Sequence, residues 1–218
     1  MSGGTVKGRR RYDNTGREAQ AKATRARVLE AAHRVVLARG YAATTMILIA
    51  RDAGVSVETL YKGFGSKSEL LTQMLGAVLV GDDEPVPLAE RPEARAVAAQ
   101  SSGTAMLTAY AAWCRQLYDR LGTLPALLLI AARSGETDLQ AFATNVKNKR
   151  LEDAATTAES LLGTGDVRSE LDRDHVRDVI WTLNSPEMHQ LLTEDRQWSP
   201  EAYQQWLGQR LIDALLAT

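Results

Sequence analysis

Residues 44–67, which read TTMILIARDAGVSVETLYKGFGSK, constrain the fold more than any other part of this chain. In the first part of this segment, Met46, Ile49, Ala50 and Ala53 recur at intervals of three and four residues. Residues with this spacing lie on one side of a helix, so the pattern predicts a short helix with one buried apolar face.

A glycine turn separates this helix from a second, shorter one. Gly54 can adopt the left-handed conformation that ends a helix, because it has no Cβ. Ser56 can then cap the next helix with its hydroxyl. In that helix Leu60 faces inward, and Phe64 fills the space beneath it. Two short helices joined by a tight turn predict a helix-turn-helix, whose second helix normally enters the DNA major groove.

At these residues the chain resembles the tetracycline-repressor (TetR) family of bacterial transcription regulators. The resemblance covers the N-terminal third, and beyond it only the helical character and the overall length fit. It implies a DNA-binding head, an inducer cavity among the central helices, and repression as the sign of regulation. The matching residues follow one uninterrupted register: Thr44-Thr45, Ile49-Ala50, Ala53-Gly54-Val55-Ser56, Thr59-Leu60-Tyr61, Phe64, and Ser66-Lys67 before Leu70-Leu71.

The charges are distributed unevenly along the chain. The formal net charge is −1, yet residues 1–70 carry 13 Lys and Arg against 6 Asp and Glu, and the remainder carries 13 against 21. A basic N-terminal third next to an acidic remainder favours a site in the N-terminal third that binds a polyanion. A charged face that only contacts solvent would give the same imbalance.

The chain contains one cysteine, Cys114, so it cannot form an intramolecular disulfide and nothing points to an oxidising compartment. The first ten residues contain no apolar core of a secretion signal. No apolar run approaches the ~18 residues of a membrane span. We therefore expect a cytoplasmic protein.

We expect an all-α fold in three parts: a disordered basic arm (1–17), a helix-turn-helix domain (18–66), and a larger helical domain for effector binding and dimerisation (67–218). Hydrophobic periodicity and end signals predict the other helices. Ser66 and Glu69 form a capping-box pattern at the start of the fourth helix, a linker follows over 81–92, and Pro186 predicts a kink. The predicted helices are 18–39, 67–80, 104–121, 124–133, 139–162, 174–193 and 200–216.

Catalytic and metal-binding patterns are weak. The segment GFGSKS at 63–68 lacks the glycines of a phosphate-binding loop, and His33, His175 and His189 lack the spacing of a helical zinc site. We expect no catalytic residue, metal or cofactor. Two alternatives stay open: an all-helical enzyme acting on a small apolar substrate, and a protein that binds DNA without sequence preference. The sizeable apolar body argues against the second alternative.

The resemblance implies which head residues contact DNA. Ile47 occupies a position where the family often has a polar or basic DNA contact, so we expect it either to contact a thymine methyl or to make no DNA contact. Gly63 occupies a position where the family frequently has a histidine, so one phosphate contact is expected to be missing. Arg9, Arg10 and Arg11 of the arm are expected to add affinity by counterion release. Five residues are expected at the major groove, Val57, Glu58, Thr59, Tyr61 and Lys62, and two at phosphates, Thr45 and Lys67.

A stripe of large side chains predicts the effector pocket. Met106, Tyr110, Trp113 and Leu117 share one helical face, with Cys114 beside them. Such a stripe can also belong to the ordinary hydrophobic core, but the O–H and N–H groups of buried Tyr and Trp need hydrogen-bond partners. The resemblance places the cavity here, with Phe142 and Trp181 on facing helices, and we expect a neutral or weakly polar, aromatic effector.

The apolar faces of the last two helices are wider than packing against the core of one chain requires. This excess predicts a two-fold homodimer. The alternative is that all of these side chains pack within one body. The expected interface residues are Val179, Ile180, Leu183, Leu191, Tyr203, Trp206, Leu207, Leu211 and Leu215.

Overall fold

The structure, a computed structural model, describes residues 14–82, 86–124, 133, 135 and 137–217. Within these ranges the only extended pairing is one antiparallel bridge between Val167 and Leu216, so the all-α fold is confirmed. A 3-10 turn covers Leu88–Glu90 and a π-helical turn covers Leu191–Asp195. The helices are α1 (Asn14–Arg39), α2 (Met46–Ala53), α3 (Val57–Phe64), α4 (Lys67–Val80), α5 (Pro92–Ala98), α6 (Gly103–Leu121), α7 (Thr137–Leu162), α8 (Arg173–Leu183), α9 (Pro186–Gln190) and α10 (Pro200–Leu215).

The two short helices of the head have the predicted faces and ends. The predicted buried faces of α2 and α3 are both confirmed. Gly54 adopts the left-handed conformation (φ 67°, ψ 38°), and the Ser56 hydroxyl accepts a hydrogen bond from the Thr59 amide at 3.1 Å. Gly63 lies inside α3 rather than at its end, and Gly65 caps the helix.

The flanking helices α1 and α4 complete the head. Helix α1 begins at Asn14, earlier than the predicted start at residue 18, because the segment after it is rich in good helix formers. At the start of α4, Ser66 and Glu69 form the predicted capping box: each side chain accepts a hydrogen bond from the other residue's amide, at 3.2 and 2.7 Å.

Two apolar clusters form the core. The first joins α1 to α4 and extends to Leu124, Leu139 and Phe142. The second lies among α5, α6, α7, α8 and α10, where α6 packs on α10 and α7 packs on α8. Leu70, which is fully buried, belongs to the first cluster, so α4 connects the head to the body.

Two predicted segments differ from the structure, and a third lies mostly outside the described residues. The linker over 81–92 contains a 3-10 turn, and α5 begins at Pro92, where a missing N–H is harmless. The predicted kink at Pro186 is a break: Asn184 ends α8, and the Ser185 hydroxyl caps α9 by accepting from the Met188 amide at 3.2 Å. Most of the predicted helix at 124–133 lies outside the described residues.

Candidate nucleic-acid interface and internal cavity

The outer face of α3 presents most of the side chains that the sequence predicts at DNA. Glu58, Thr59, Tyr61 and Lys62 are exposed, whereas Val57 is half-buried against the head core. Tyr61 keeps 54% of its surface exposed, an unusual amount for a large aromatic residue with no exposed apolar neighbour on its helix. The buried side of α3 fixes the helix, so these four side chains are held in one orientation toward solvent.

Two further predicted contact positions lie at the start of α2. Ile47 is 67% exposed. Thr45 caps α2, and its Oγ1 accepts a hydrogen bond from the Leu48 amide at 3.2 Å. Because a hydroxyl can donate while it accepts, the Thr45 proton stays available for a phosphate oxygen.

Lys67, predicted at a phosphate, lies half-buried at the first residue of α4. Its Nζ lies 3.7 Å from the centroid of the Tyr41 ring, and 3.3 and 3.4 Å from the carbonyl oxygens of Thr44 and Tyr41. The ammonium therefore ties the start of α4 to the loop before α2. Sequence reasoning missed this contact, because it depends on where the fold places Tyr41.

A second cation packs under the helix-turn-helix. The guanidinium carbon of Arg25 lies 5.0 Å from the centroid of the Phe64 ring, and its Nη2 donates to Gln73 Oε1 at 2.7 Å. Arg25 thus braces α1, α3 and α4 together. The arm residues Arg9, Arg10 and Arg11 lie outside the described residues.

The body contains a cavity of about 210 Å³ that is partly open to solvent. Its wall includes Leu75 and Leu79 of α4, together with residues of α5 to α9. All residues that the sequence predicts for an effector pocket line this cavity: Met106, Tyr110, Trp113, Cys114, Leu117, Phe142 and Trp181.

Polar groups converge on the end of α8, at one part of the cavity wall. The carbonyl oxygen of Asn184 accepts from Tyr118 Oη at 2.9 Å and from Arg150 Nη2 at 2.8 Å, and Arg150 Nη2 also donates to the Trp181 carbonyl at 2.9 Å. Asn184 Nδ2 donates to Tyr110 Oη at 3.0 Å. Sequence reasoning missed Arg150 and Asn184, because no local pattern links residues of α7 to the end of α8.

Two further polar atoms of this wall are buried without a hydrogen-bond partner in the described part of the chain. They are Trp181 Nε1, a donor, and Asn184 Oδ1, an acceptor. Buried polar atoms are usually satisfied, so a ligand that pairs with them would relieve an unfavourable state. The wall is therefore apolar with a polar end, which is the usual composition of a small-molecule site.

Burial keeps two titratable groups of the wall, Cys114 and Tyr110, in their protonated forms. Burial raises the pKa of the Cys114 thiol to about 12 and raises the pKa of Tyr110 well above its ordinary value. Cys114 therefore stays protonated and is a poor nucleophile. Among the described residues no group of His, Cys, Asp and Glu could hold a metal ion, and no described helix is long and apolar enough to cross a membrane.

The residues predicted for a dimer interface divide into two groups. Trp206, Val179 and Leu183 are half-buried and Leu191 is 51% exposed, so these four reach the surface. The others are fully buried within the single chain and belong to its core, where they cannot touch a partner: Ile180, Tyr203, Leu207, Leu211 and Leu215.

A helix-turn-helix head with an exposed second helix, joined to a helical body with an internal cavity, defines a DNA-binding regulator. Residues 28–74 match the family model described as bacterial regulatory proteins, tetR family. That range runs from within α1 to within α4 and includes the whole helix-turn-helix. The match assigns the helix-turn-helix domain, over residues 28–74, to the tetR family of bacterial regulatory proteins.

Solved structures share the fold over most of their lengths. A candidate transcriptional regulator from Saccharomonospora viridis in complex with choline has a TM-score of 0.64 at 18% identity, covering 90% of this chain and 99% of that one. NalD, the secondary repressor of the MexAB-OprM multidrug efflux pump in Pseudomonas aeruginosa, has a TM-score of 0.62 at 19% identity, with 90% and 98% covered. FadR from Bacillus subtilis in complex with stearoyl-CoA has a TM-score of 0.68 at 16% identity, with 86% and 97% covered.

The chain matches none of the curated proteins with which it was compared.

Proposed function

We propose that this protein is a ligand-responsive repressor that binds a pseudo-palindromic operator as a homodimer and releases it when a small, mostly apolar effector occupies the cavity. One observation carries the proposal: α4 belongs to both halves of the molecule. Its Leu70 and Met74 are buried in the head core, while Leu75 and Leu79 line the cavity. A ligand against the second pair therefore acts on the helix that supports the first.

Release follows from differential binding. An effector can weaken DNA binding only if it prefers the conformation whose two heads are wrongly spaced. Such coupling is typically about 1–3 kcal/mol and is reciprocal, so operator DNA weakens effector binding by the same factor. Solved proteins of this fold hold ligands as different as choline and stearoyl-CoA, which supports a cavity whose specificity varies with its lining.

The exposed face of α3 supplies the proposed DNA contacts. The Thr59 and Tyr61 hydroxyls donate to phosphate oxygens, Lys62 reaches guanine acceptors, and Glu58 accepts from cytosine N4. Ile47 contacts a thymine methyl, since its apolar side chain is exposed at the start of α2. Lys67 holds a phosphate only at the cost of its contact with Tyr41.

The proposed dimer uses the surface around the end of α9 and the start of α10. Leu191 is exposed there, and the exposed Trp198 packs edge-on against Trp206 with ring centroids 6.3 Å apart. Exposed apolar clusters of this kind mark interfaces. Two-fold symmetry would present two heads to half-sites about one helical turn apart, ~34 Å, or a multiple of it.

Selection of bound duplexes from a random pool tests this function, and a pseudo-palindromic consensus is expected. On that operator, Tyr61→Ala should weaken binding to all sequences. Lys62→Ala should relax the preference at one base position by roughly 1–3 kcal/mol. Lys149→Ala is the matched control, because it removes an exposed positive charge from the body. Unchanged binding in both head variants would refute the assignment of α3.

The arm gives a separate test, although it lies outside the described residues. Deleting residues 1–12 removes Lys7, Arg9, Arg10 and Arg11. Each lost phosphate contact should flatten the slope of log affinity against log salt concentration by about 0.9. An unchanged slope would mean that the arm lies off the DNA.

A further inference from the structure

The cavity wall contains a half-buried cation, Arg150, that forms no ion pair with a described residue. Arg150 lies on α7, and its Nη2 donates to the main-chain oxygens of Trp181 and Asn184. Its Nε and Nη1 make no hydrogen bond or ion pair in the part of the chain that the structure describes. Main-chain carbonyls satisfy part of the guanidinium but carry no net charge, so the positive charge remains.

The other charged groups of the described wall are two carboxylates and one lysine. Asp153 Oδ1 lies 3.5 Å from Lys149 Nζ, so Lys149 is the ion-pair partner of this carboxylate. Lys147 and Glu187 also line the cavity and have opposite signs. Among the described lining residues, Arg150 is therefore the half-buried cation whose guanidinium keeps N–H groups without an ion pair, whereas Lys147 is exposed.

The polar atoms near Arg150 point to the same kind of ligand. Trp181 Nε1 is a buried donor without a partner, and the guanidinium carbon of Arg150 lies 5.5 Å from the centroid of the Trp181 ring. Donors on Arg150 and Trp181 suit an anionic oxygen, and a planar guanidinium binds a carboxylate with particular strength. The volume, about 210 Å³, lies below the roughly 300 Å³ at which drug-sized pockets begin, so the ligand is small.

We propose that the effector is a small amphipathic organic acid, whose carboxylate binds the free N–H groups of Arg150 while its apolar part contacts Trp113 and Phe142. This inference rests on the proposed function and names the ligand class of the same cavity. It replaces the neutral compound expected from the sequence, because only the folded chain brings Arg150 to the cavity wall. An aromatic wall alone would equally suit a cation, but the half-buried guanidinium of Arg150 beside Trp181 repels one.

Three probes of similar size and different charge test the inference on the full chain. They are 3-phenylpropanoate, its neutral amide 3-phenylpropanamide, and the cation phenyltrimethylammonium. Binding is followed by calorimetry and by tryptophan fluorescence, since Trp113 and Trp181 line the cavity. The acid should bind about 10- to 100-fold more tightly than the amide, as expected for hydrogen bonds to a charged group, and the cation should bind most weakly.

Arg150→Gln should abolish the preference for the acid over the amide. Arg168→Gln is the matched control: Arg168 also donates to main-chain carbonyls at a helix end, from Nε to Leu216 at 2.9 Å and from Nη2 to Asp213 at 2.6 Å, but it does not line the cavity. The control variant should keep the preference. If Arg150→Gln fails to fold, the relative affinities of the three probes for the unmodified protein still test whether the cavity prefers an acid.

Equal affinity for the acid and the amide, including no binding of either, would overturn the inference, as would tighter binding of the cation. Operator measurements separate this failure from that of the proposed function. If the amide releases the operator as well as the acid does, the effector cavity stands and the acid class is wrong. If the protein selects no duplex, the repressor function fails whatever the probes show.

Discussion

At the scale of single residues, the neighbours of a side chain decide its role more than its type does. Lys62 and Lys67 are five positions apart in the sequence, and both were predicted at DNA. Lys62 is exposed on α3, whereas Lys67 packs its ammonium over the Tyr41 ring and beside two carbonyl oxygens. A cation held in this way stabilises the head before any DNA is bound.

The contrast between these lysines predicts different effects on stability. Lys67→Met keeps the apolar stem but removes the cation–π contact, so the free energy of unfolding should fall by about 0.5–2 kcal/mol. Lys62→Met, its matched control, changes an exposed residue and should shift the free energy by less than about 0.5 kcal/mol. Urea unfolding measures both, and equal shifts would show that the Lys67 contact contributes nothing.

His189 should make the stability depend on pH. Its ring stacks on Tyr118 with centroids 4.0 Å apart, and burial lowers its pKa below the ordinary 6.5. The unfolded chain then binds the proton more readily, so this contribution to stability is present above about pH 6.5 and is lost as the pH falls toward the lowered folded-state pKa. His33, whose pKa burial also lowers, acts in the same direction.

Thermal unfolding between pH 7.5 and 5.5 tests this expectation. The melting temperature should fall across that range, and His189→Phe, which keeps an aromatic ring on Tyr118, should reduce the fall. The exposed His175 is the control, and His175→Gln should leave the profile unchanged. A profile for His189→Phe parallel to that of the unmodified protein would contradict the assignment.

At the scale of elements, the turn between α2 and α3 depends on backbone conformation. Gly54 has a φ of 67°, in the region that L side chains avoid, whereas Gly63 lies within α3 and a Cβ added there would meet nothing within 4 Å. The backbone conformation therefore requires glycine at position 54 but not at position 63.

Gly54→Ala should destabilise the protein by about 1–2 kcal/mol, because a Cβ in the left-handed conformation crowds the following carbonyl. Gly63→Ala should stabilise it by about 0.4–1 kcal/mol, since it lowers the entropy of the unfolded chain. Both values follow from chemical denaturation of the two variants. A loss of stability in Gly63→Ala would mean that α3 does not continue through this position.

At the scale of the whole molecule, a substitution in the surface around Leu191 tests the proposed dimer. Leu191→Lys should convert the proposed dimer into a monomer at micromolar concentration, because it places a charge in an apolar contact. Leu37, which is 45% exposed on α1, provides the matched control, and Leu37→Lys should stay dimeric. Sedimentation equilibrium measures both masses. A monomeric unmodified protein, or a dimeric Leu191→Lys variant, would refute this interface.

The head could be predicted from the sequence because its signals are local. Helix periodicity, the left-handed Gly54, the Ser56 cap and the capping box of Ser66 and Glu69 each depend on residues within a few positions of one another. The same holds for the stripe on α6, whose members share one helical face and line one cavity. These features were determined by the sequence alone.

Only the tertiary structure decided what those faces meet. Tyr203, Leu207 and Leu211 have the pattern of an interface, yet they are fully buried inside the chain, because an apolar face carries no record of whether it packs on its own chain or on a partner. Arg150 has no local signal, since its partners are the carbonyls of Trp181 and Asn184, more than thirty positions away. Hydrophobic periodicity specifies which face of a helix is buried, whereas long-range packing specifies which element covers that face. The presence of Arg150 in the cavity wall depends on long-range packing, so only the tertiary structure could show it.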